Sequence, residues 1–293
     1  MLINIQSSTA SAAINSFGAE LTSFKNSAGK EFIWQADPAF WPKHSPVLFP
    51  SIGNVRNGKT MIEGKEYAIP KHGFARDYDF EIEKAGESVA VFSLTSNDNM
   101  LKMYPYKFKL TMTYSIEGET LRLTYDIANL DDREMPFQIG AHPGFSCPLN
   151  EVEAFGDYAL KFEKPETVDS PLYNFETLSI DPDRTVRFLN GSDTLPLDYS
   201  IFENDAVIFD GLESKKVQLL NQSTGEGVEV SYDGFEVLGF WTPVNPGAPF
   251  LCIEPWNGGA IYSDESDEFR TRRHTQIAAP GATKTYALEI RIL

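Results

Sequence analysis

The chain alternates apolar and polar residues in short runs and shows little helical spacing. Asp79-Phe80-Glu81-Ile82-Glu83 alternates, turns at Gly86-Glu87-Ser88 and returns over residues 89–94. Residues 107–114 alternate strictly, turn at Glu117-Gly118 and return over 121–125. Residues 217–220 turn over 223–227 and return over 228–232, and the chain closes on an alternating run at 286–292. A shorter hairpin turning at Glu63-Gly64 ends at residues 67–69. Successive strand side chains point to opposite faces, so a period of two between Gly, Asn, Asp and Ser predicts antiparallel strands with one buried face. No amphipathic helix longer than about two turns is visible. Three irregular stretches remain, at 37–59, 145–157 and 256–275. Loops that long in a β protein cover a sheet edge or carry function. The expectation is an all-β fold, a large antiparallel sandwich built by residues 1–293 as a single domain.

Composition supports this and narrows the function. Aromatic residues make up 13%, with 21 Phe and 12 Tyr, and they favour strands. Lys and Arg number 25 against 42 Asp and Glu, a formal net charge of −17. Phosphate backbones are held mainly by Lys and Arg, so nucleic acid and anionic membrane surfaces are poor partners. One local basic pocket could still hold a single phosphate. No apolar stretch approaches the roughly 20 residues of a membrane span. The N-terminus lacks the basic region of a secretory leader. Cys147 and Cys252 make no disulfide framework, which points to a reducing cytoplasm. Without secretion, the glycosylation patterns at Asn190-Gly191-Ser192 and Asn221-Gln222-Ser223 carry no weight.

Gly53-Asn54-Val55-Arg56-Asn57-Gly58-Lys59-Thr60 fits the phosphate-cradling P-loop letter for letter, and Asp210 after an apolar run could pose as its Mg²⁺ partner. The physics of that loop requires a helix directly after it. The following residues alternate around a Gly turn and end at Pro70, so a hairpin is expected instead.

Two histidines stand at predicted strand ends, where the backbone turns: His72 in Lys71-His72-Gly73-Phe74-Ala75-Arg76-Asp77, and His142 in Ala141-His142-Pro143-Gly144. Each alone fits a structural histidine. Glu254, between Ile253 and Pro255 in an apolar strand, changes the balance, because a desolvated carboxylate costs several kcal/mol unless paired or used. Trp241 and Trp256 offer flat faces suited to a sugar ring, or to core packing. His44 and His274 read as surface residues, and the acidic run 264–268 as a solvated loop. No spacing of His and Cys supports a metal site, no nucleophile elbow is present, and both thiols read as inert.

Together these segments resemble the aldose 1-epimerase, or galactose mutarotase-like, family. Phe17-Gly18-Ala19-Glu20-Leu21, Pro46-Val47-Leu48-Phe49-Pro50, the His72 and His142 segments and Cys252-Ile253-Glu254-Pro255-Trp256 match in order along nearly the whole chain. His72-Gly73-Phe74-Ala75-Arg76 marks one branch. The resemblance implies a β-supersandwich and cofactor-free interconversion of sugar anomers. It assigns Glu254 as general base, His142 as general acid, His72 to the ring-oxygen region, Asp205 to a sugar hydroxyl and Arg76 to the substrate pocket. The family's usual pocket arginine falls on Asn54, whereas this chain carries Arg56 two residues later. The substrate expected is a hexose. The displaced arginine leaves open a non-catalytic sugar-binding protein, and Arg56 and Arg76 near His72 leave open a hexose-phosphate mutarotase. No interface is legible, so oligomeric state is left open.

Overall fold

The computed structural model describes residues 1–243 and 247–293. The expected hairpins are present, most of them lengthened. Phe108–Glu117 pairs with Thr120–Asn129, Tyr125 standing opposite Met112 and Leu121 opposite Ile116. Phe108, Leu110, Met112, Tyr114 and Ile116 are all buried, as strict alternation demands. These two strands lie within a nine-stranded antiparallel sheet. Its order is Ser179–Pro196, Tyr158–Asn174, Lys216–Asn221, Gly227–Ser231, Thr283–Ile292, Thr120–Asn129, Phe108–Glu117, Val89–Thr95 and Glu81–Ala85. The strand expected at 79–83 begins two residues later, because Asp79 instead bridges Phe17.

A second sheet runs Val207–Asp210, Val237–Trp241, Phe250–Asn257, Ile139–Ala141 and Val47–Leu48, with Gly144–Ser146 also paired to Phe250–Asn257. Phe92, Phe108, Tyr114, Phe137, Phe209, Phe240, Leu251 and Ile253 share one buried cluster between the sheets. Each such side chain removed from water contributes about 1.5–3 kcal/mol. Leu251 and Ile253 belong to that interior cluster, whereas Cys252 and Trp256 belong to other clusters. Phe250–Asn257 is therefore buried on both faces, and its even-numbered residues face away from the sandwich interior.

The longest hairpin, Tyr158–Asn174 with Ser179–Pro196, has no counterpart in the predicted strands; its register shifts at four places. Among the described residues Asp98–Met103 is the one α-helix, capped by Asn97, whose side chain accepts from the N–H groups of Asn99 and Met100. Among the described residues no helix is long and apolar enough to cross a membrane. The P-loop lookalike contains a 3-10 turn, Arg56–Gly58, and runs into the hairpin Lys59–Ile62/Lys65–Ala68. Glu63 and Gly64 at its tip both have positive φ, 49° and 77°, the geometry that closes a two-residue hairpin.

Candidate active site

Strand register brings the two central residues together. Gly140 stands opposite Trp256, and Gly144 opposite Cys252. Pro143 interrupts the ladder between them without shifting the register, which sets His142 opposite Glu254. Directly opposed residues of an antiparallel pair share a face, and His142 Nε2 lies 3.2 Å from Glu254 Oε2. On the other flank Glu254 stands opposite Gly239. A Cβ on Gly239 would sit 2.6 Å from Trp256 Cη2, and one on Gly140 2.7 Å from Trp256 Cδ1. Glycine at both positions leaves room for the indole.

This face floors a cavity of about 370 Å³ whose lining includes Asn54, Lys71, His72, Arg76, His142, Asp205, Trp241, Glu254 and Trp256. Its size suits a small ligand. Glu254 is 1% exposed and His142 7%. Burial, aided by the Asp205 carboxylate and opposed by Lys71, holds the Glu254 carboxyl well above the usual range. Burial and the nearby Arg76 push His142 down to about 3. Both shifts share their largest cause: a dry site penalises charge of either sign. Trp41 stacks on the His142 ring at 4.8 Å and Trp241 meets it edge-on at 5.8 Å.

His72 enters from a loop that only glycine could close. Gly73 has φ 71°, and a Cβ there would lie 2.1 Å from the Phe49 carbonyl oxygen. His72 N–H donates to the Gly53 carbonyl at 3.0 Å, and Gly53 N–H donates to His72 Nδ1 at 3.2 Å. With Nδ1 accepting, the neutral ring carries its proton on Nε2. Burial, with the charges of Arg76 and Lys71 nearby, keeps the ring neutral. Asp205, at φ 73°, accepts from Trp241 Nε1 at 3.1 Å. Asn54 donates to the Tyr173 hydroxyl at 2.7 Å.

Arg56 departs from expectation. Its guanidinium bonds Asp267 Oδ1 at 2.9 Å and the Glu265 carbonyl at 2.9 Å, and it is absent from the cavity lining. The left-handed Asn57 in its 3-10 turn and the acidic 264–268 run draw it away. Two surface expectations also change. His44 is half-buried, its backbone N–H donating to Glu20 Oε1 at 2.8 Å. His274 is half-buried between Glu236 and Asp210. Trp41, Lys43, Tyr173 and Ile180 also line the cavity, although no pattern along the chain singles them out.

His142, Cys252 and Glu254 place ligand atoms within 4.8 Å of one another. A cation there would occupy the atoms through which His142 and Glu254 meet, so metal binding and acid–base pairing are alternative uses of one place. Burial keeps the Cys252 and Cys147 thiols protonated.

The antiparallel sandwich with its cavity is a galactose mutarotase-like fold, and the chain belongs to the aldose 1-epimerase family, whose model matches residues 1–274. It is 34% identical over 299 residues to Protein LacX, plasmid, of Lactococcus lactis subsp. lactis, with 100% of each chain covered. The solved galactose mutarotase related enzyme of Lactobacillus acidophilus superposes with TM-score 0.94 at 28% identity, covering 100% of this chain and 97% of that one. A galactose mutarotase-like protein from Lactobacillus casei ATCC 334 gives TM-score 0.87 at 30% identity, with 100% of both chains covered.

Proposed function

We propose that the protein interconverts the α and β anomers of a hexose by acid–base ring opening, with Glu254 as base and His142 as acid. The observation that carries this is the 3.2 Å meeting of the two side chains on the cavity floor. The anomeric hydroxyl and the ring oxygen of a pyranose share one carbon, so the groups serving them must be near neighbours. Glu254 takes the hydroxyl proton while His142 gives one to the ring oxygen. The carbon–oxygen ring bond breaks and the aldehyde forms. Rotation about the first carbon–carbon bond presents the other face, and ring closure returns both protons. Opening leaves a protonated carboxyl and a neutral imidazole, the charge state a dry cavity favours. Neutral His72 offers Nε2–H to the ring-oxygen region. Asp205 and Asn54 face the remaining hydroxyls, Arg76 borders the pocket, and Trp241 supplies a flat apolar face.

These steps need no cofactor. We take the whole chain as one domain, because a single buried cluster spans both large sheets. Two buried, unpaired thiols fit a reducing cytoplasm.

Polarimetry of freshly dissolved α-hexoses tests the proposal. The protein should speed relaxation, and Glu254→Gln and His142→Asn should each cut kcat/KM by about 10²–10⁴-fold while circular dichroism stays unchanged. A rate never above the spontaneous one would remove the enzyme reading. A non-catalytic sugar-binding protein would then remain, supported by the turned-away Arg56, and calorimetry would show sugar binding without turnover.

A further inference from the structure

Resting on the isomerase reading above, we propose that Trp256 is a positioning residue for that reaction: its indole N–H donates to the Glu254 carboxylate once the base is charged, and holds it in place. The strand itself sets this up. Residues 254 and 256 are two apart in Phe250–Asn257, so their side chains leave on the same face. The indole crosses the strand between two glycines. A Cβ on Gly140 would lie 2.7 Å from Cδ1, the atom bonded to Nε1, and one on Gly239 would lie 2.6 Å from Cη2 and 2.7 Å from Cζ2. Val237 stands opposite Trp256, whereas Gly239 stands opposite Glu254. A ring that reaches Gly239 therefore leans along the strand towards Glu254.

An unpaired donor is the second observation. Trp256 is 5% exposed, and among the described residues its Nε1 has no hydrogen-bond partner. Trp34 Nε1 donates to the Trp41 carbonyl at 2.9 Å, and Trp241 Nε1 to Asp205 at 3.1 Å. Around Trp256 the packing is apolar, from Leu48, Ile52, Ile208 and Val237. A buried donor left unpaired is costly. Glu254 Oε2 is the matching acceptor: it faces His142 Nε2 at 3.2 Å, yet among the described residues it accepts no hydrogen bond.

Charge decides when the bond forms. Burial, and next the Asp205 carboxylate, raise the Glu254 carboxyl, while Lys71 and the indole oppose them. The titratable and charged groups around it are His142 on the facing strand, Cys252 on its own strand, and His72, Lys71, Arg76 and Asp205 on the cavity wall. Of these, His142 must give its proton to the ring oxygen, and Lys71 is exposed. The base therefore needs a buried donor that keeps its proton. An indole N–H only donates, and its bond strengthens as the acceptor becomes charged. It favours the carboxylate–imidazolium form over the resting one without lending a proton.

Indole ¹H–¹⁵N NMR of the whole protein, whose four tryptophans are assigned by substitution, reads the bond directly. The Trp256 signal should move downfield as pH rises through the ionisation of Glu254, and stay still in Glu254→Gln. Trp256→Phe removes the donor. It should lower kcat/KM on hexoses by at least about 10-fold and move the alkaline fall of the pH profile to higher pH, because the carboxyl then ionises less readily. A ring that only fills space predicts the reverse: its loss admits water, and a hydrated carboxyl ionises at lower pH. An indole signal blind to Glu254 overturns the proposal, as does an alkaline limb that stays or moves down in folded Trp256→Phe. Should that variant fail to fold, the indole signal of the unsubstituted protein decides alone. Absence of turnover on every hexose, with the indole shift intact, removes the isomerase reading and leaves the hydrogen bond standing.

Discussion

Glu254 and His142 are displaced in opposite directions by the same loss of water. Burial therefore favours the neutral form of each group, a pair with one proton, on the carboxyl. The reactive form, carboxylate and imidazolium, holds the same number, so moving between them exchanges nothing with solvent. Coupled groups titrate as a pair. A flat kcat/KM across neutral pH is expected, falling in acid as the imidazole takes up a second proton and in alkali as the carboxyl loses its only one. Stopped-flow polarimetry from acid to alkaline pH would check it; a sharp change near pH 6.5, the ordinary histidine value, would contradict the burial argument. Arg56 makes the opposite case. Its side chain is 30% exposed and its partner Asp267 48%, so the pair is worth less than about 1 kcal/mol. Arg56→Ala should leave kcat/KM within about twofold and lower stability only slightly, measured by polarimetry and urea unfolding.

At the scale of the strand, Phe250–Asn257 shows why the site tolerates few substitutions. One face packs Leu251 and Ile253 into the sandwich while the other presents Glu254 between Gly239 and His142. Gly239→Ala would drive a methyl to 2.6 Å from Trp256 Cη2. Overpacking of that kind costs typically 1–3 kcal/mol. The indole must shift, so both a changed tryptophan emission and a loss of kcat are expected; unchanged fluorescence with full activity would show the glycine to be dispensable. The same strand marks how far the sequence could be read. Its apolar run with one embedded carboxylate identified Glu254, and clean alternation identified the hairpins around 107–125 and 217–232. Tyr173 and Ile180 escaped because their hairpin carries Pro165, Pro171 and Pro182 and shifts register repeatedly, which erases the period of two. Lys43 and Lys71 escaped because an isolated lysine looks like any solvated one until the fold sets it on a cavity wall. Arg56 was misplaced because spacing along a chain does not state the direction of a side chain leaving a 3-10 turn.

Across the whole molecule, the segment after the last strand of the site is tied back to the second sheet by one charge. His274 Nδ1 lies 2.6 Å from Glu236 Oε2 and its Nε2 2.8 Å from Asp210 Oδ2. Two carboxylates on one ring require both nitrogens protonated. The Asp210 hydrogen bond, helped by Glu236 and opposed by partial burial, raises His274 to about 9 from 6.5. The remaining neighbours fit a cation clamp. Gln276 donates to the other Glu236 oxygen at 3.1 Å, and Arg273 is engaged by Asp264 at 2.9 Å. A group that holds its proton more tightly folded than unfolded stabilises fully below its unfolded value and loses that contribution as pH rises through its folded one. The melting temperature should therefore fall as pH climbs from 6.5 towards about 9. Asp210 and Glu236 are 45% and 52% exposed, so added salt should weaken the effect. His274→Gln should lower the melting temperature below pH 6.5 and flatten the slope above it. Scanning calorimetry of both proteins over that range decides the matter, because a slope that survives the substitution must come from other groups.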